Sequence, residues 1–293
     1  MRFVLTLLAC LPRSVAQFLG GFTGRVNYAL NTLAARVTRT NLELCMPEIH
    51  EKTLDQMTKR SLMETGKTMF ETPSVWLGNL NRVDGWIAEV HNEEILKQKT
   101  TDGNGLLIVL PHLGNWELFN VFYRRYGEFT ALYHPPRQTY LRDIMTIVRS
   151  RHGNHMVPTQ RSGLMALFRA LNQGETVVVL PDQVPAQGIF VDFLGQQALT
   201  DTLCARLVQK TGAKVLGIAM IRRPDGRFDV HVQGPGERVR DENIETSTLA
   251  ISRLVETLLE LAPEQYQWEY KRFKARPVGS PKLYRYNKAP AIH

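Results

Sequence analysis

The chain has 293 residues, of which 43% are hydrophobic and 22% are charged, and its formal net charge is +8 at pH 7. This balance excludes a mainly disordered chain and predicts a globular protein with a substantial core. The three cysteines are widely spaced and form no C-x-x-C pair. That spacing argues against a disulfide framework or a zinc ribbon and is typical of a reducing compartment.

The basic residues concentrate at the two ends of the chain. Residues 1–42 and 271–293 contain no acidic residue and together carry +12, so residues 43–270 carry −4. Basic residues next to apolar ones indicate an anionic membrane surface as partner. A nucleic-acid-binding enzyme more often spreads its basic residues along a groove, so we expect no nucleic-acid partner. For the C-terminal end, a solvated tail that aids solubility is the alternative.

The N-terminal residues 3–11 are apolar, but Pro12 and Arg13 interrupt the run well short of the ~20 residues of a spanning helix. Apolar residues then recur at steps of three and four as far as Val37, which predicts one or two amphipathic helices. A membrane-surface anchor, a core-facing helix and a signal peptide all remain open. The signal peptide is the weakest alternative, because the period continues without a clear cleavage site.

Short apolar runs that follow turns predict buried strands in the middle of the chain. These runs are 106–110, 176–180 and 214–221, and the alternating segment 228–232 is typical of an edge strand.

Helical patterns lie between these runs. They cover 50–98, with loop signals at Thr72-Pro73 and Asn79, and then 164–171, 201–210 and 246–261. Strands that alternate with helices predict an α/β fold with a single mixed, largely parallel sheet flanked by helices and an apolar N-terminal helical extension. The predicted organisation is a membrane-associating segment at 1–42, an α/β domain at 43–277 and a basic tail at 278–293.

The segment from Pro111 to Glu117 directly follows the first predicted strand, where α/β sheets bind their ligands. Asn115 is a good helix N-cap, and Glu117 would fall in the first helical turn, from which it can reach back to His112. A histidine held by a carboxylate has a fixed tautomer and is a competent general base near neutral pH. The chain contains no G-x-S-x-G, so the base is expected to act on a substrate hydroxyl.

HLGNWE at 112–117 resembles the H-x4-D/E signature of lysophospholipid acyltransferases and, more narrowly, the lipid A late acyltransferases, which transfer lauroyl and myristoyl chains. Glu in place of Asp at the second motif position favours this narrower branch. Further segments resemble the family in the same order. They are TRTNLELCMPE (38–48), RSGLMALFRALNQGE (161–175), VVVLPDQVPAQGIFVDFLGQQALT (177–200), QKTGAKV (209–215) and YQWEYKRFKARP (266–277).

The resemblance implies an O-acyltransferase that moves an acyl chain from a thioester to a hydroxyl of a lipid A precursor, with no covalent acyl-enzyme. His112 would be the general base and Glu117 would orient it. Backbone N–H groups at 114–117 or a nearby cation could stabilise the oxyanion. Residues that would bind substrate are Asn115, Arg161, Asp182, Gln183, Lys271 and Arg272.

For the partners, the resemblance implies an acyl carrier protein thioester more than a coenzyme A thioester, a phosphorylated lipid acceptor, and no metal or other cofactor. The implied location is the cytoplasmic face of the bacterial inner membrane, as a peripheral or single-anchor protein. Another glycolipid, a phosphoinositide mannoside or an aminolipid is the alternative acceptor.

Two hypotheses of another class remain. A metal hydrolase could use His152 and His155 with His112 and Glu117, but the H-E-x-x-H of zinc-binding helices is absent. A non-catalytic lipid-binding protein of the same fold would not need the pair of His112 and Glu117.

Overall fold

The computed structural model describes residues 2–98, 103–133, 148, 153–284 and 286. Nine strands lie within these residues. They are β1 Ile87–His91, β2 Leu106–Val109, β3 Phe129–Tyr133, β4 His155–Pro158, β5 Thr176–Val179, β6 Ile189–Phe193, β7 Gln196–Thr200, β8 Lys214–Arg222 and β9 Phe228–Gln233. Seven of them form one sheet in the order β1-β9-β8-β2-β5-β3-β4, and β6 pairs with β7 as a separate hairpin.

The sheet is mixed and largely parallel, as predicted. Strands β8, β2, β5, β3 and β4 run in one direction, whereas β9 pairs antiparallel with β8 and parallel with β1. The prediction that 228–232 forms an edge strand is wrong, because β1 covers the outer side of β9. The strand β1 lies inside the segment 50–98 that was predicted to be helical.

Ten α-helices are described. They are α1 Arg2–Ala9, α2 Arg13–Ala29, α3 Leu33–Cys45, α4 Glu51–Leu77, α5 Leu80–Asp84, α6 Glu93–Lys97, α7 Phe119–Phe122, α8 Arg161–Asn172, α9 Leu203–Thr211 and α10 Ile244–Leu259. Short 3₁₀ turns lie at Trp116–Leu118, Tyr123–Arg125, Glu237–Arg240 and Pro263–Gln265. The loop predicted at Thr72-Pro73 is wrong, since α4 continues through Pro73. The Pro73 side chain is buried, so tertiary packing offsets the hydrogen bond that proline removes.

Hydrophobic clusters cover both faces of the sheet, which explains the uninterrupted apolar sequence of its central strand. Leu107 and Val109 of β2 contribute to the cluster shared with α8, α9 and α10. Leu106 and Ile108 contribute to the opposite cluster, which includes residues of α4, α5 and α7. A strand buried on both faces has no polar side to alternate with its apolar side.

Several large apolar side chains of the predicted N-terminal stripe point away from the protein, although Val37 is buried. A Cβ atom added at Gly20 would lie 2.3 Å from the Gly66 carbonyl oxygen, so α2 packs on α4 with the two backbones in close contact. Phe18 is 70% exposed and Phe22 is 57% exposed. Within the part of the chain that the structure describes, no helix combines the length and apolarity required to cross a membrane.

Candidate active site

His112 and Asp182 meet at the carboxyl edge of two neighbouring strands. His112 follows β2 and Asp182 follows β5, and these strands are parallel and adjacent. The Nδ1 atom of His112 lies 2.7 Å from Oδ1 of Asp182, and the His112 backbone N–H donates to Oδ2 at 2.8 Å. One carboxylate therefore fixes both the main chain and the imidazole of His112.

This pair determines which nitrogen of His112 is available for chemistry. A carboxylate only accepts hydrogen bonds, so Nδ1 carries the proton and Nε2 keeps its lone pair. Nε2 lies 3.3 Å from the side-chain amide nitrogen of Gln183, which in turn donates to Oε1 of Gln267 at 3.2 Å. The His112 side chain is 14% exposed, whereas that of Asp182 is 1% exposed. The imidazole thus presents a basic nitrogen while its partner stays shielded from water.

Glu117 approaches the imidazole from another side and has a different hydrogen-bond partner. Its Oε2 accepts a hydrogen bond from the indole Nε1 of Trp76 at 2.9 Å. Between His112 and Glu117, both of which the structure describes, no hydrogen bond forms, so Asp182 occupies the position next to Nδ1 that the sequence suggested for Glu117. Burial raises the pKa of Glu117, although the indole of Trp76 and the charge of His112 oppose this shift.

The charges around His112 favour its protonated form. Burial alone would lower the pKa of His112, but the carboxylate of Asp182, followed by Glu117 and Glu269, raises it above its ordinary value. Burial would raise the pKa of Asp182, yet the charge and hydrogen bonds of His112 keep it below its ordinary value. An imidazole whose charged form is stabilised by neighbouring carboxyl groups suits a general base, because it must carry the proton that it accepts.

A second, charge-paired cluster fixes the loop that carries the motif. Arg222, at the end of β8, donates from Nε to Oε1 of Glu71 at 2.8 Å and from Nη2 to Oε2 at 2.6 Å, and it also bonds Glu64. Asn115 is fully buried, and its amide nitrogen donates to Oε2 of Glu71 at 2.8 Å. Asn115 occupies the N-cap position of the 3₁₀ turn Trp116–Leu118, as predicted, but its side chain makes no capping hydrogen bond.

The same loop uses its backbone groups internally. Gly114 has a φ of +62°, and a Cβ atom there would lie 1.9 Å from the carbonyl oxygen of Met220, so only glycine fits. The Gly114 N–H donates to the carbonyl of Gln265, and the Asn115 N–H donates to that of Met220. Neither N–H group is available for the oxyanion role that the sequence suggested.

Trp116 lines two cavities. The centroid of its ring lies 4.9 Å from that of the His112 ring, in an edge contact. The first cavity, of about 230 Å³, is predominantly apolar. It is lined by His112, Trp116 and Glu117 together with Leu110, Phe119, Asn120, Phe129, Ala131, Leu132, Tyr133, Val148, Asn154, Met156, Val178 and Leu180.

The second cavity, of about 180 Å³, is lined mostly by polar residue types, although most of its exposed surface is apolar. It is lined by Thr65, Thr68, Met69, Thr72, Gly114, Trp116, Gln265, Gln267 and Glu269. Glu269 accepts a hydrogen bond from Thr65 at 3.0 Å, and burial raises its pKa. Trp116 thus lines both cavities, whereas His112 lines the first, so the second cavity adjoins the surroundings of the base through Trp116.

Comparison with known proteins identifies the family. The model of the bacterial lipid A biosynthesis acyltransferases matches residues 1–275. The chain belongs to this family. It is 30% identical to the lipid A biosynthesis lauroyltransferase of Escherichia coli (strain K12), covering 96% of this chain and 92% of that protein. It is 28% identical to the palmitoleoyltransferase of the same organism over the same shares.

A more distant relative has a different acceptor in its name. The chain is 24% identical to the phosphatidylinositol mannoside acyltransferase of Mycolicibacterium smegmatis (strain ATCC 700084 / mc(2)155), over 75% of this chain and 73% of that protein. As a member of the lipid A biosynthesis acyltransferase family, the chain is an acyltransferase.

The other residues predicted for this acyltransferase site lie in varied surroundings. Arg161 is exposed at the first turn of α8, after β4 and therefore at the same sheet edge as His112. Lys271 is partly buried, with its Nζ 5.9 Å from the ring centroid of Tyr284. Arg272 is buried and donates to the carbonyl of Leu199 at 2.6 Å, so its guanidinium is committed to the fold.

Three residues that the sequence did not single out complete the candidate site. Trp76 holds Glu117, Gln267 accepts from Gln183, and Glu269 adds a third carboxyl near His112. Gln267 and Glu269 lie inside the segment YQWEYKRFKARP (266–277), but Trp76 comes from α4, far from any motif. His152 of the metal-hydrolase hypothesis lies outside the described residues. His155 is on β4, 3.5 Å from Glu128.

Proposed function

We propose that this acyltransferase moves a fatty acyl chain from an acyl thioester, carried by acyl carrier protein in preference to coenzyme A, to a hydroxyl of a lipid A precursor. The observation that carries the proposal is the pair of His112 and Asp182, with His112 in the wall of a predominantly apolar cavity. The names of the relatives support the acceptor.

The reaction needs no covalent acyl-enzyme. Nε2 of His112 takes the proton of the acceptor hydroxyl while the oxygen attacks the thioester carbonyl carbon. Asp182 holds Nδ1 and, with Glu117, stabilises the imidazolium that forms. The tetrahedral intermediate then breaks its C–S bond, and the departing thiolate takes the proton back from His112.

The oxyanion of that intermediate needs a hydrogen-bond donor near Nε2 of His112. The side-chain amide of Gln183 lies 3.3 Å from this nitrogen and is positioned by Gln267. We assign it to the oxyanion, because the N–H that faces Nε2 loses this acceptor when Nε2 takes the proton, whereas the N–H groups of Gly114 and Asn115 keep main-chain acceptors. Gln183 thus takes the place of these two of the backbone donors expected at 114–117.

The two cavities are assigned to the two substrates by their chemistry. The apolar cavity of about 230 Å³ receives the acyl chain, because burial of each methylene contributes ~0.8 kcal/mol. The second cavity, which shares Trp116 with the first, receives the part of the acceptor that carries the hydroxyl, because Glu269 and Gln267 lie in its wall. Arg161, exposed at the same sheet edge, is assigned to an acceptor phosphate, since arginine forks match phosphate oxygens.

Attachment to the cytoplasmic face of the inner membrane is part of the proposal. Phe18 and Phe22 lie on the exposed side of α2, and residues 1–42 contain no acid to oppose an anionic lipid surface. When vesicles that contain phosphatidylglycerol are pelleted by centrifugation, most of the wild-type protein should pellet with them, but a far smaller fraction of the Phe18→Ser variant. Leu261→Ser, a matched control at a site that is 49% exposed, should sediment like the wild type. Equal loss in both variants would contradict an interface on α2.

Acyl transfer in detergent tests the central claim. The wild-type protein is offered acyl carrier protein thioesters and coenzyme A thioesters of several lengths, with a lipid A precursor as acceptor. We expect transfer that His112→Ala abolishes and that His155→Ala, a histidine of the far edge strand, leaves intact. Transfer that persists in His112→Ala would exclude the mechanism.

A phosphoinositide mannoside is the second acceptor to test, because one relative is named for it. If the lipid A precursor is not acylated but thioester is still lost in a manner that depends on His112, the chemistry stands and the acceptor is another lipid.

A further inference from the structure

A cluster of four polar side chains lies on one face of the sheet, at the edge opposite the proposed catalytic residues. Strands β1 and β9 pair in parallel, and their register places Glu89 beside Asp229 and His91 beside His231. All four project to the same side, because residues two apart on a strand share a face. β1 and β9 run antiparallel to β2, so His91, the last residue of β1, lies away from the end of β2 that carries His112.

The side chains of His91, Asp229 and His231 already have the spacing of a metal-ligand set. One ligand atom from each of His91, Asp229 and His231 lies within 4.8 Å of the other two. The two imidazole rings stack with their centroids 4.4 Å apart, and His91 Nε2 lies 3.7 Å from Asp229 Oδ2. Two ligands of a tetrahedral ion at ~2.1 Å are about 3.4 Å apart, so small side-chain rotations bring all three to one ion.

Arg223 holds the carboxylate in the orientation that such a site requires. Its Nη1 donates to Oδ1 of Asp229 at 3.1 Å and leaves Oδ2 facing His91. Ligand carboxylates in metal sites are typically fixed by hydrogen bonds of this kind. Glu89 is 59% exposed and lies 3.7 Å from Nδ1 of His91, where it or a water molecule can supply a fourth ligand.

We propose that His91, Asp229 and His231 bind one divalent transition-metal ion of the Zn²⁺ class and thereby fasten the edge strand β1 to β9. Two imidazoles and one carboxylate suit Zn²⁺, Ni²⁺ or Cu²⁺ and do not suit Mg²⁺, which prefers oxygen ligands in octahedral geometry. The ion would stabilise a short edge strand that has a neighbour on one side only. This site is independent of the acyl-transfer chemistry.

Calorimetric titration of the full, untagged chain tests the proposal after the protein has been stripped with a chelator. Zn²⁺ should bind with a stoichiometry of one per chain and raise Tm, and Mg²⁺ at the same concentration should do neither. His91→Ala, at a position that is 36% exposed, should weaken Zn²⁺ binding by at least about 100-fold, since loss of even an outer-shell partner typically costs about 10–100-fold. Asp229→Asn should weaken it in the same direction.

His155→Ala is the matched control, because His155 lies on the opposite edge strand β4 and pairs with a single carboxylate, Glu128, at 3.5 Å. It should bind Zn²⁺ like the wild type. Absence of saturable binding, equal binding of Mg²⁺, or equal affinity in His91→Ala and His155→Ala would each overturn the proposal. His231→Ala repeats the test from the other strand, and His91→Ala alone decides it if His231→Ala does not fold.

Discussion

Two buried ionic clusters share the six-residue motif HLGNWE, and they differ in whether an arginine, which keeps its charge, pairs with their carboxylates. We call the first the catalytic cluster; it comprises His112, Asp182, Glu117 and Glu269. We call the second the Arg222 cluster; it comprises Arg222, Glu64, Glu71 and Asn115. The motif contributes His112 and Glu117 to the first and Asn115 to the second.

The difference shows how one loop can be both reactive and rigid. In the catalytic cluster three carboxyl groups surround one imidazole, and burial raises the pKa of two of them, Glu117 and Glu269. Protons can therefore be redistributed there. In the Arg222 cluster, Arg222 stays charged because Glu71 and Glu64 outweigh the effect of burial and raise its pKa. That cluster keeps its charges and fixes the loop.

The largest effect on the rate is expected from removal of the Asp182 charge, which faces Nδ1 of His112. In Asp182→Asn, a neutral amide no longer selects the Nδ1–H tautomer or stabilises the imidazolium. We expect kcat to fall by about 10²–10⁴-fold while the protein stays folded. Steady-state kinetics with acyl thioesters measures the fall, and Asp192→Asn, at a surface ion pair with Arg253, should leave kcat near the wild-type value.

The pH dependence of the same variant makes this test sharper. His112 must be neutral to accept a proton, so activity rises as pH rises through its pKa. The Asp182 carboxylate raises that pKa. In Asp182→Asn the acidic limb of the pH–rate profile should therefore move to lower pH, and the maximal rate should also be lower. A limb that stays in place would show that the imidazole does not interact with Asp182 during turnover.

Disruption of the Arg222 cluster should affect stability first. Arg222→Met leaves the carboxylates of Glu71 and Glu64 buried without their cation, and we expect the free energy of unfolding to fall by about 3–5 kcal/mol. Arg223→Met is the matched control one residue away; that side chain is 35% exposed, so its loss should change the free energy of unfolding far less. Urea unfolding in detergent compares the two, and equal losses would contradict a structural role for the cluster.

Glu117→Gln should lower activity and raise stability together. A loss of one pKa unit in the stabilisation of the His112 imidazolium corresponds to about a tenfold loss of rate. We therefore expect kcat to fall by about 10–100-fold with little change in KM. Burial raises the pKa of Glu117 in the folded protein, so its favourable contribution is complete below its unfolded pKa and is lost as pH rises through the folded pKa. At neutral pH the buried carboxylate is unfavourable, and an uncharged glutamine relieves that cost.

Thermal unfolding of Glu117→Gln at several pH values checks this sign. The variant should have the higher Tm at neutral pH, and the difference should shrink as pH falls towards the ordinary pKa of a glutamate. Glu128→Gln, at a position that is 60% exposed, should change neither rate nor Tm appreciably. A lower Tm in Glu117→Gln at neutral pH would mean that the carboxylate stabilises the fold.

The sequence was sufficient for the central strands and for the position of His112 just after β2, because an apolar run after a turn and a motif at its end are local signals. It was insufficient for β1, whose five residues Ile87–His91 have no apolar run and gain their partner from β9, far along the chain. It was also insufficient for the partner of His112. Glu117 is close in sequence, but the turn at Gly114 and the pairing of β2 with β5 place Asp182 at Nδ1 instead.

Asn115 gives the smallest expected effect and tests how the motif is divided between the two clusters. Asn115→Ala removes one hydrogen bond to Glu71 and should lower the free energy of unfolding by about 1–2 kcal/mol. It should leave KM unchanged for both substrates, since Asn115 lines neither cavity. Asn120→Ala is the matched comparison, because Asn120 lines the apolar cavity and should change KM for the acyl donor more than it changes stability. If Asn115→Ala raised KM and left stability unchanged, Asn115 would contact substrate, as the sequence suggested, and the motif would belong to the catalytic cluster as a whole.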